Sequence, residues 1–385
     1  MKILFLITAS GKKSGGHMFS LYHIAHEIAK THSVRIISFG EEESVVYSES
    51  SLYLSNCKIS SLKDLLNLNS RLIEKLNGFE PDIVHSFDDT SFLLSANVKI
   101  FRNSKLVFTK CGGMNPKGKK WIYADNLILF SNENYTAFQS MKIYRKANLY
   151  MIPNRVKRIE LIDDCQKSEI KDKKYFNFVR ISRIGNNYIE STKSLFRLVA
   201  DLPISSKKYR IYIIGRIENE VKYRELVQMS KDMKLDVRFI TDARTQIASQ
   251  MLYLADCVLG TGRSLMEAMS LGIPVLTPLS NSKYPTLVSS ENFDQLLNTN
   301  FSERNTVPEE IQEIAYEKLI KIITEIDYYK VISMETNNLF DTRLSVENAV
   351  THYDLVYKNA LIRKESRMSF YNWLYFLRII KNLVK

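Results

Sequence analysis

The sequence predicts an α/β protein of two doubly wound, Rossmann-like domains with a helical tail. Three observations carry that prediction. Short, continuous apolar runs, the pattern of strands covered on both faces, alternate with stretches of helical period. The rhythm breaks once, over a polar stretch of mixed charge from Pro153 to Lys174, and then restarts. A chain of 385 residues is long enough for two domains at about 150 residues each. The expected organisation is a first domain over 1–155, a linker over 156–174, a second domain over 175–344, and a helix with a basic amphipathic tail over 345–385.

The elements follow in order. Residues 2–8 form a buried first strand. The run resembles the start of a secretory signal, but no small-residue cleavage site follows, and it leads into a loop carrying Gly11, Gly15 and Gly16. A helix runs from Met18 to Lys30 with Leu21, Ile24, Ala25 and Ile28 on one face. Val34–Phe39 is the next strand, and Leu62–Leu76 is a helix ahead of Pro81. Further strands lie at Asp82–His85, Lys105–Thr109, Leu127–Ser131 and Tyr150–Ile152. Beyond the linker, strands are expected at 176–181, 210–214, 237–241, 256–259 and 274–277. Helices are expected at 188–201, 219–234, 244–254, 263–271 and 308–326, and an amphipathic helix at 345–362. Sheets wound in this way bind ligands at the carboxyl ends of their strands, and two such sheets facing each other would form a cleft.

Composition excludes several classes. The four cysteines (Cys57, Cys111, Cys165, Cys257) show no CxxC spacing, so neither a zinc ribbon nor a disulfide framework is expected, and a cytoplasmic setting fits. No apolar run approaches the roughly 20 residues of a membrane-spanning helix. The net charge of +12 is uneven: residues 1–160 carry +8, residues 161–362 carry −1 and residues 363–385 carry +5. Charge alone speaks for nucleic acid, and no nucleic-acid-binding motif accompanies it. The tail from Phe370 is rich in aromatic and aliphatic residues, with Arg367, Arg378, Lys381 and Lys385 around them. Too short to span a bilayer, it suits a helix lying at an anionic membrane surface, so peripheral contact through 363–385 at the inner face of the cytoplasmic membrane is the expected partner interaction.

The strongest chemical signal is CVLGTGRSLMEAMSLGIPVLTP, from Cys257 to Pro278. A buried strand ends at Gly260, Thr261 and Gly262 turn, and Arg263 and Ser264 open a helix. Free N–H groups at a helix start and an arginine beside them suit a phosphate. Glu267, one turn further on, suits a vicinal diol such as a ribose. His23 and His26 share a helix face, yet no carboxylate or cysteine completes a metal site there.

Glu267-Ala268-Met269 with Gly272-x-Pro274-Val275 resembles the donor-site motif of family 4-like glycosyltransferases of the GT-B fold. Other segments resemble the same family in order: Gly15-Gly16 its glycine loop, Pro81-Asp82-Ile83-Val84-His85 its PDIVH segment, Ile152-Pro153-Asn154 the segment closing its first domain, and Arg183 followed by Lys193 its basic pair. Thr109-Lys110-Cys111-Gly112-Gly113 and Phe130-Ser131-x-Glu133-Asn134 resemble segments of a bacterial surface-polysaccharide subset. The resemblance covers about residues 1–345. It implies two facing Rossmann-like domains, the first for the acceptor and the second for the nucleotide sugar. It implies a hexosyltransferase-type enzyme that moves a sugar from a nucleoside diphosphate to a saccharide acceptor, often lipid-linked, in O-antigen, capsule or lipopolysaccharide synthesis. Retention of configuration goes with it, as does a donor phosphate oxygen that takes the acceptor proton.

The resemblance assigns Arg183, Lys193 and His85 to catalysis. It assigns Gly15, Gly16, Gly215, Gly262, Arg263, Ser264 and Glu267 to the donor, and Asp88, Lys110 and Asn134 to the acceptor. Cationic side chains would stabilise the departing diphosphate, the role that a metal plays elsewhere, so neither metal nor cofactor is expected. Two positions depart from the family pattern. Leu259 stands where a second glutamate is common, and Phe87 stands where a second histidine is, followed by Asp88 and Asp89. Two other readings share this fold: a sugar-nucleotide epimerase, and a non-catalytic subunit that binds glycan or a partner transferase.

Overall fold

The structure, a computed structural model, describes residues 1–9, 15–116, 121–162, 171–172, 174–203, 208–363 and 369–384. Gly11, Cys165, Arg367 and Lys385 lie outside the described residues. The chain divides into two compact units, Met1–Arg155 with Val346–Lys385, and Val156–Ser345.

The first unit is built on strands β1 (Lys2–Thr8), β2 (Ser33–Gly40), β3 (Tyr53–Lys58), β4 (Ile83–Ser86), β5 (Lys105–Lys110), β6 (Asn126–Leu129) and β7 (Asn148–Met151). They form one sheet in the order β3-β2-β1-β4-β5-β6-β7, with every neighbouring pair parallel. β1 explains its own apolar run: Leu4 and Leu6 enter the core on one face, and Ile3, Phe5 and Ile7 enter the core on the other. The chain winds outward from β1 to β3 and returns to β4 on the other side, so the sheet has its switch point between β1 and β4.

The second unit repeats the device with β8 (Tyr175–Ile181), β9 (Lys208–Ile214), β10 (Val237–Ile240), β11 (Cys257–Leu259), β12 (Val275–Thr277) and β13 (Thr286–Leu287). Its order is β10-β9-β8-β11-β12-β13, parallel except for β13 at the edge, and its switch point lies between β8 and β11.

Several elements differ from the sequence reading. β3 (YLSNCK) has no apolar run, because only Cys57 is fully buried. The helix expected at Leu62–Leu76 is two, Leu62–Leu66 and Leu68–Leu76, sharing Asn67 at their junction. Helix Asp89–Asn97 is buried almost all round and so shows little helical period. The segment Ala243–Leu254 is a 3₁₀ helix with a kink at Ile247. Glu309–Thr324 is followed at once by a further helix, Ile326–Leu339.

The segment after 345 belongs to the first unit. Val346, Ala349, Tyr353, Val356, Tyr357 and Ala360 join the core that holds Ile3, Phe5 and Ile7. The tail helix, Phe370–Val384, also seats one face on this unit. Tyr375, Phe376 and Ile379 pack against the other core, and the fully buried Asn372 exchanges hydrogen bonds with the Tyr123 backbone, 2.7 Å from its N–H and 2.8 Å to its carbonyl. Its outer face leaves Phe370, Trp373, Leu374 and Leu377 exposed. No described helix is long and apolar enough to cross a membrane.

Candidate functional site

In the second unit, of the residues expected at the donor site, Arg183 follows the end of β8, and Gly262, Arg263, Ser264 and Glu267 follow the end of β11. Arg183 leaves β8 with half its side chain exposed. It donates to Glu218 at 2.9 Å and to the Tyr188 hydroxyl at 2.9 Å, and it lies 5.3 Å from the centre of that ring. Lys193 stands on helix Ile189–Asp201 between two carboxylates, Glu190 at 2.8 Å and Glu225 at 2.5 Å. Arg183 and Lys193 thus keep separate carboxylate partners.

β11 ends at Leu259, Gly262 takes a positive φ of 51°, and the two-turn helix Arg263–Met269 follows. Arg263 Nε donates to Glu267 Oε1 at 2.7 Å, so the two residues expected to face a ligand face each other, with about a tenth of each side chain exposed. Burial lowers the basicity of Arg263 and raises the Glu267 carboxyl, and their mutual attraction opposes both shifts. The Ser264 hydroxyl turns back to the Thr261 carbonyl at 3.3 Å.

Gly215 is required by the backbone itself. A Cβ there would lie 1.8 Å from the Ser182 carbonyl oxygen, just as one on Gly40 in the first unit would lie 1.8 Å from that of Ala9. In each sheet a glycine after the second strand lets the chain pass the end of the first.

The sequence reading missed Arg180. Its residue is 1% exposed, and its Nη2 donates to the Ser191 hydroxyl and reaches the Tyr188 carbonyl at 3.5 Å; burial lowers its pKa to about 10. A lone arginine inside an apolar strand run was the available signal.

In the first unit an open cavity of about 590 Å³ lies at the switch point, lined among others by Thr8, His17, Asp89, Lys110 and Trp121. The residues expected there have divided roles. Asp88 is committed to folding: it accepts from the N–H and hydroxyl of Thr8, both at 2.6 Å, and caps helix Asp89–Asn97 through Ser91 N–H at 2.8 Å. Asn134 is fully buried and holds the glycine loop, donating to the Gly113 carbonyl at 3.2 Å and to Asn115 at 2.7 Å. Lys110 reaches Asn134 at 3.3 Å and the Gly112 carbonyl, and it lines the cavity. Asp89 stands exposed at the mouth, where desolvation by the packed chain around it and the neighbouring Asp88 push its carboxyl up to about 6 against the pull of Lys110.

Gly15 caps helix Gly16–Ile28 with ordinary extended backbone, and a Cβ on it would meet the His17 ring at 2.8 Å. That glycine therefore seats His17 at the cavity. The Ser20 hydroxyl shares its proton between the Gly16 carbonyl at 2.9 Å and Asn154 Oδ1 at 2.7 Å, tying the glycine turn to the end of the first unit.

His85 corrects the sequence reading. It faces no opening: its ring is fully buried among Phe5, Phe87, Tyr353 and Tyr357. Both nitrogens are engaged, with the Tyr357 hydroxyl at 2.9 Å and the Thr109 hydroxyl at 2.7 Å, and burial holds it neutral with a pKa lowered to about 3.

No protein-family profile matches the sequence, and no curated protein does. The fold has clear counterparts among solved structures. The chain is similar to Anabaena Alr3699/HepE, crystallised in complex with UDP, at 17% identity and a TM-score of 0.66, over 93% of this chain and 100% of that one. A glycosyltransferase from Rickettsia africae gives 16%, 0.63, 94% and 100% in the same order. The lipopolysaccharide outer core galactosyltransferase WaaB gives 16%, 0.57, 94% and 99%. The chain has the α/β architecture of GT-B glycosyltransferases.

Proposed function

We propose that the protein is a glycosyltransferase that moves a sugar from a nucleoside diphosphate to a saccharide acceptor. The observation that carries this reading is the Arg263–Glu267 pair opening from the Gly262 turn at the β8/β11 switch point, the sheet in which Arg183 follows β8. Sheets of this type take ligands at that place. The pair offers a cation to a diphosphate and a carboxylate to a ribose diol. The donor is held by the second unit and the acceptor by the first-unit cavity, where Asp89 and Lys110 meet sugar hydroxyls.

As the glycosidic bond breaks, negative charge grows on the leaving diphosphate. Arg183 is held by a salt bridge exposed enough to exchange Glu218 for phosphate at small cost, and it stabilises that charge. Lys193 lies deeper between two glutamates and adds positive potential rather than a direct contact. The reaction runs without metal or cofactor and retains configuration, with a donor phosphate oxygen taking the acceptor proton. HepE has been crystallised with UDP-glucose, which makes uridine diphosphate sugars the first donors to test.

The biological role we propose is bacterial surface-polysaccharide assembly on a lipid-linked acceptor. The exposed Phe370, Trp373, Leu374 and Leu377, with Arg378 and Lys381 on the same helix, support docking at the inner face of the cytoplasmic membrane. The test is nucleotide release from UDP-, GDP-, ADP- and dTDP-sugars, with and without lipid extract. Release from one donor, raised by lipid and lost in Glu267→Ala and Arg183→Ala, is the expected result. No release from any donor and no thermal shift by any nucleotide contradicts it.

A further inference from the structure

The donor-site motif places Leu259 where related sequences often carry a carboxylate. Leu259 is fully buried in the apolar core, and in register on the neighbouring strand stands Arg180. Position 259 therefore presents no side-chain oxygen to a sugar. A nearby loop does.

Asn300 and Phe301 are consecutive non-glycine residues in the left-handed backbone region, with φ of 58° and 54°. L-residues rarely adopt it, bulky ones least of all. The surroundings hold the strain in place. Phe301 is fully buried, and its carbonyl accepts the Thr277 hydroxyl at 3.1 Å. Further along, the Asn305 carbonyl accepts both the N–H and the hydroxyl of Ser280, at 2.8 and 3.0 Å. The effect is to aim Asn300 at the Gly262 turn: a Cβ on Gly262 would lie 3.5 Å from its amide nitrogen and 3.8 Å from its carbonyl oxygen.

Four buried polar atoms of this loop and the end of β8 have no hydrogen-bond partner among the described residues: Asn300 Oδ1, Glu303 Oε1, Asn305 Nδ2 and Arg180 Nε. The charge of Glu303 reaches Arg180, which places the loop beside the end of β8. The chemistry of the set is specific. Two atoms accept and two donate, so the matching ligand must bring N–H or O–H groups as well as lone pairs. A diphosphate at neutral pH brings only acceptors and is repelled by Glu303. A sugar hydroxyl supplies both functions.

We propose that Glu303 and Asn300 bind hydroxyl groups of the donor sugar, with Arg180 and Asn305 supplying the donating groups. The inference rests on the donor-site reading and adds to it the residues that distinguish a sugar nucleotide from its bare nucleotide.

The test is isothermal titration of the full-length protein with UDP and with UDP-glucose, alongside the GDP/GDP-mannose and ADP/ADP-glucose pairs. The variants are Glu303→Gln, which keeps shape and removes charge, and Asn300→Gly, which keeps the positive φ at no strain and removes the amide. Glu303→Gln should weaken sugar-nucleotide binding about 10- to 100-fold, the size of one lost charged hydrogen bond, and leave the bare nucleotide within about 2-fold. Asn300→Gly should show the same split at about 5- to 10-fold. Equal loss for nucleotide and sugar nucleotide assigns the loop to the nucleotide and overturns the proposal, as does no loss in either variant. A wild-type protein that binds none of the nucleotides removes the donor site and this proposal with it.

Discussion

The two units wind the same topology and use its switch points differently. In each, a central strand (β1 or β8) meets a return strand (β4 or β11), and a glycine after the second strand lets the backbone pass. In the first unit most of the polar residues at the strand ends are committed to folding. Asp88 caps a helix and ties Thr8, Asn134 holds the glycine loop, and His85 is sealed in the core. What remains for a ligand is an open cavity with Asp89 and Lys110 at its wall. In the second unit the charged residues are paired with one another: Arg183 with Glu218, Lys193 with Glu190 and Glu225, Arg263 with Glu267. An ion pair can be traded for a ligand's charge, whereas a helix cap cannot be traded without cost to the fold. The difference is what the proposed function needs: tradable charge in the unit assigned to the donor and an open polar cavity in the unit assigned to the acceptor.

The largest effect should come from breaking the buried pair. Glu267→Ala leaves Arg263 without its carboxylate, with an expected loss of about 3–5 kcal/mol in denaturant melts and loss of nucleotide release. If that variant stays as stable as the wild type, the pair is not the buried unit described here. Arg183→Ala should separate function from stability. Its half-exposed bridge is worth at most about 1 kcal/mol, while nucleotide release should fall about 100-fold. Comparable losses in both would place Arg183 in the fold instead.

Asp88→Ala should do the reverse, costing about 1–2 kcal/mol through the lost cap and leaving nucleotide affinity intact, as measured by melting and titration. The smallest effect is a slope. Asp89 has its pKa raised to about 6, so between about pH 4 and 6 the folded state holds a proton that the unfolded state has lost. Its contribution is full below pH 4 and is lost as pH rises through 6. Relative to Asp89→Asn, wild-type stability should therefore decline over that window; parallel stability–pH curves would show that Asp89 is not shifted.

Much of this was legible in the sequence, and the failures have physical causes. The apolar runs of β1, β4 and β8 announced buried parallel strands, and each lies within a residue of its expected start or end. β3 was silent because four of its six residues are only half-buried and polar side chains suffice there. The end of β4 was located correctly, yet the environment of His85 was not, because Tyr353 and Tyr357 close over it from a helix some 270 residues downstream. No local pattern reports a cover supplied from so far along the chain.

The Arg263–Glu267 pairing was readable in principle, since an i,i+4 spacing puts both on one helix face, and opposite charges there meet. The acceptor candidates were harder to rank for a different reason. Sequence can name polar residues beside a strand end, but it cannot tell which of them the backbone has already claimed. Asp88 and Asp89 are adjacent, chemically identical and both at the cavity, and only the start of the following helix decides that Asp88 is taken up as its cap.

The division of labour between the units is tested most directly by titrating UDP into the wild type, Arg183→Ala and Asp89→Asn under identical conditions. The account predicts that Arg183→Ala loses about ten-fold or more in affinity, the worth of one charged hydrogen bond to phosphate, and that Asp89→Asn binds as the wild type does. UDP affinity lost in Asp89→Asn and kept in Arg183→Ala would contradict it and move the donor to the first unit.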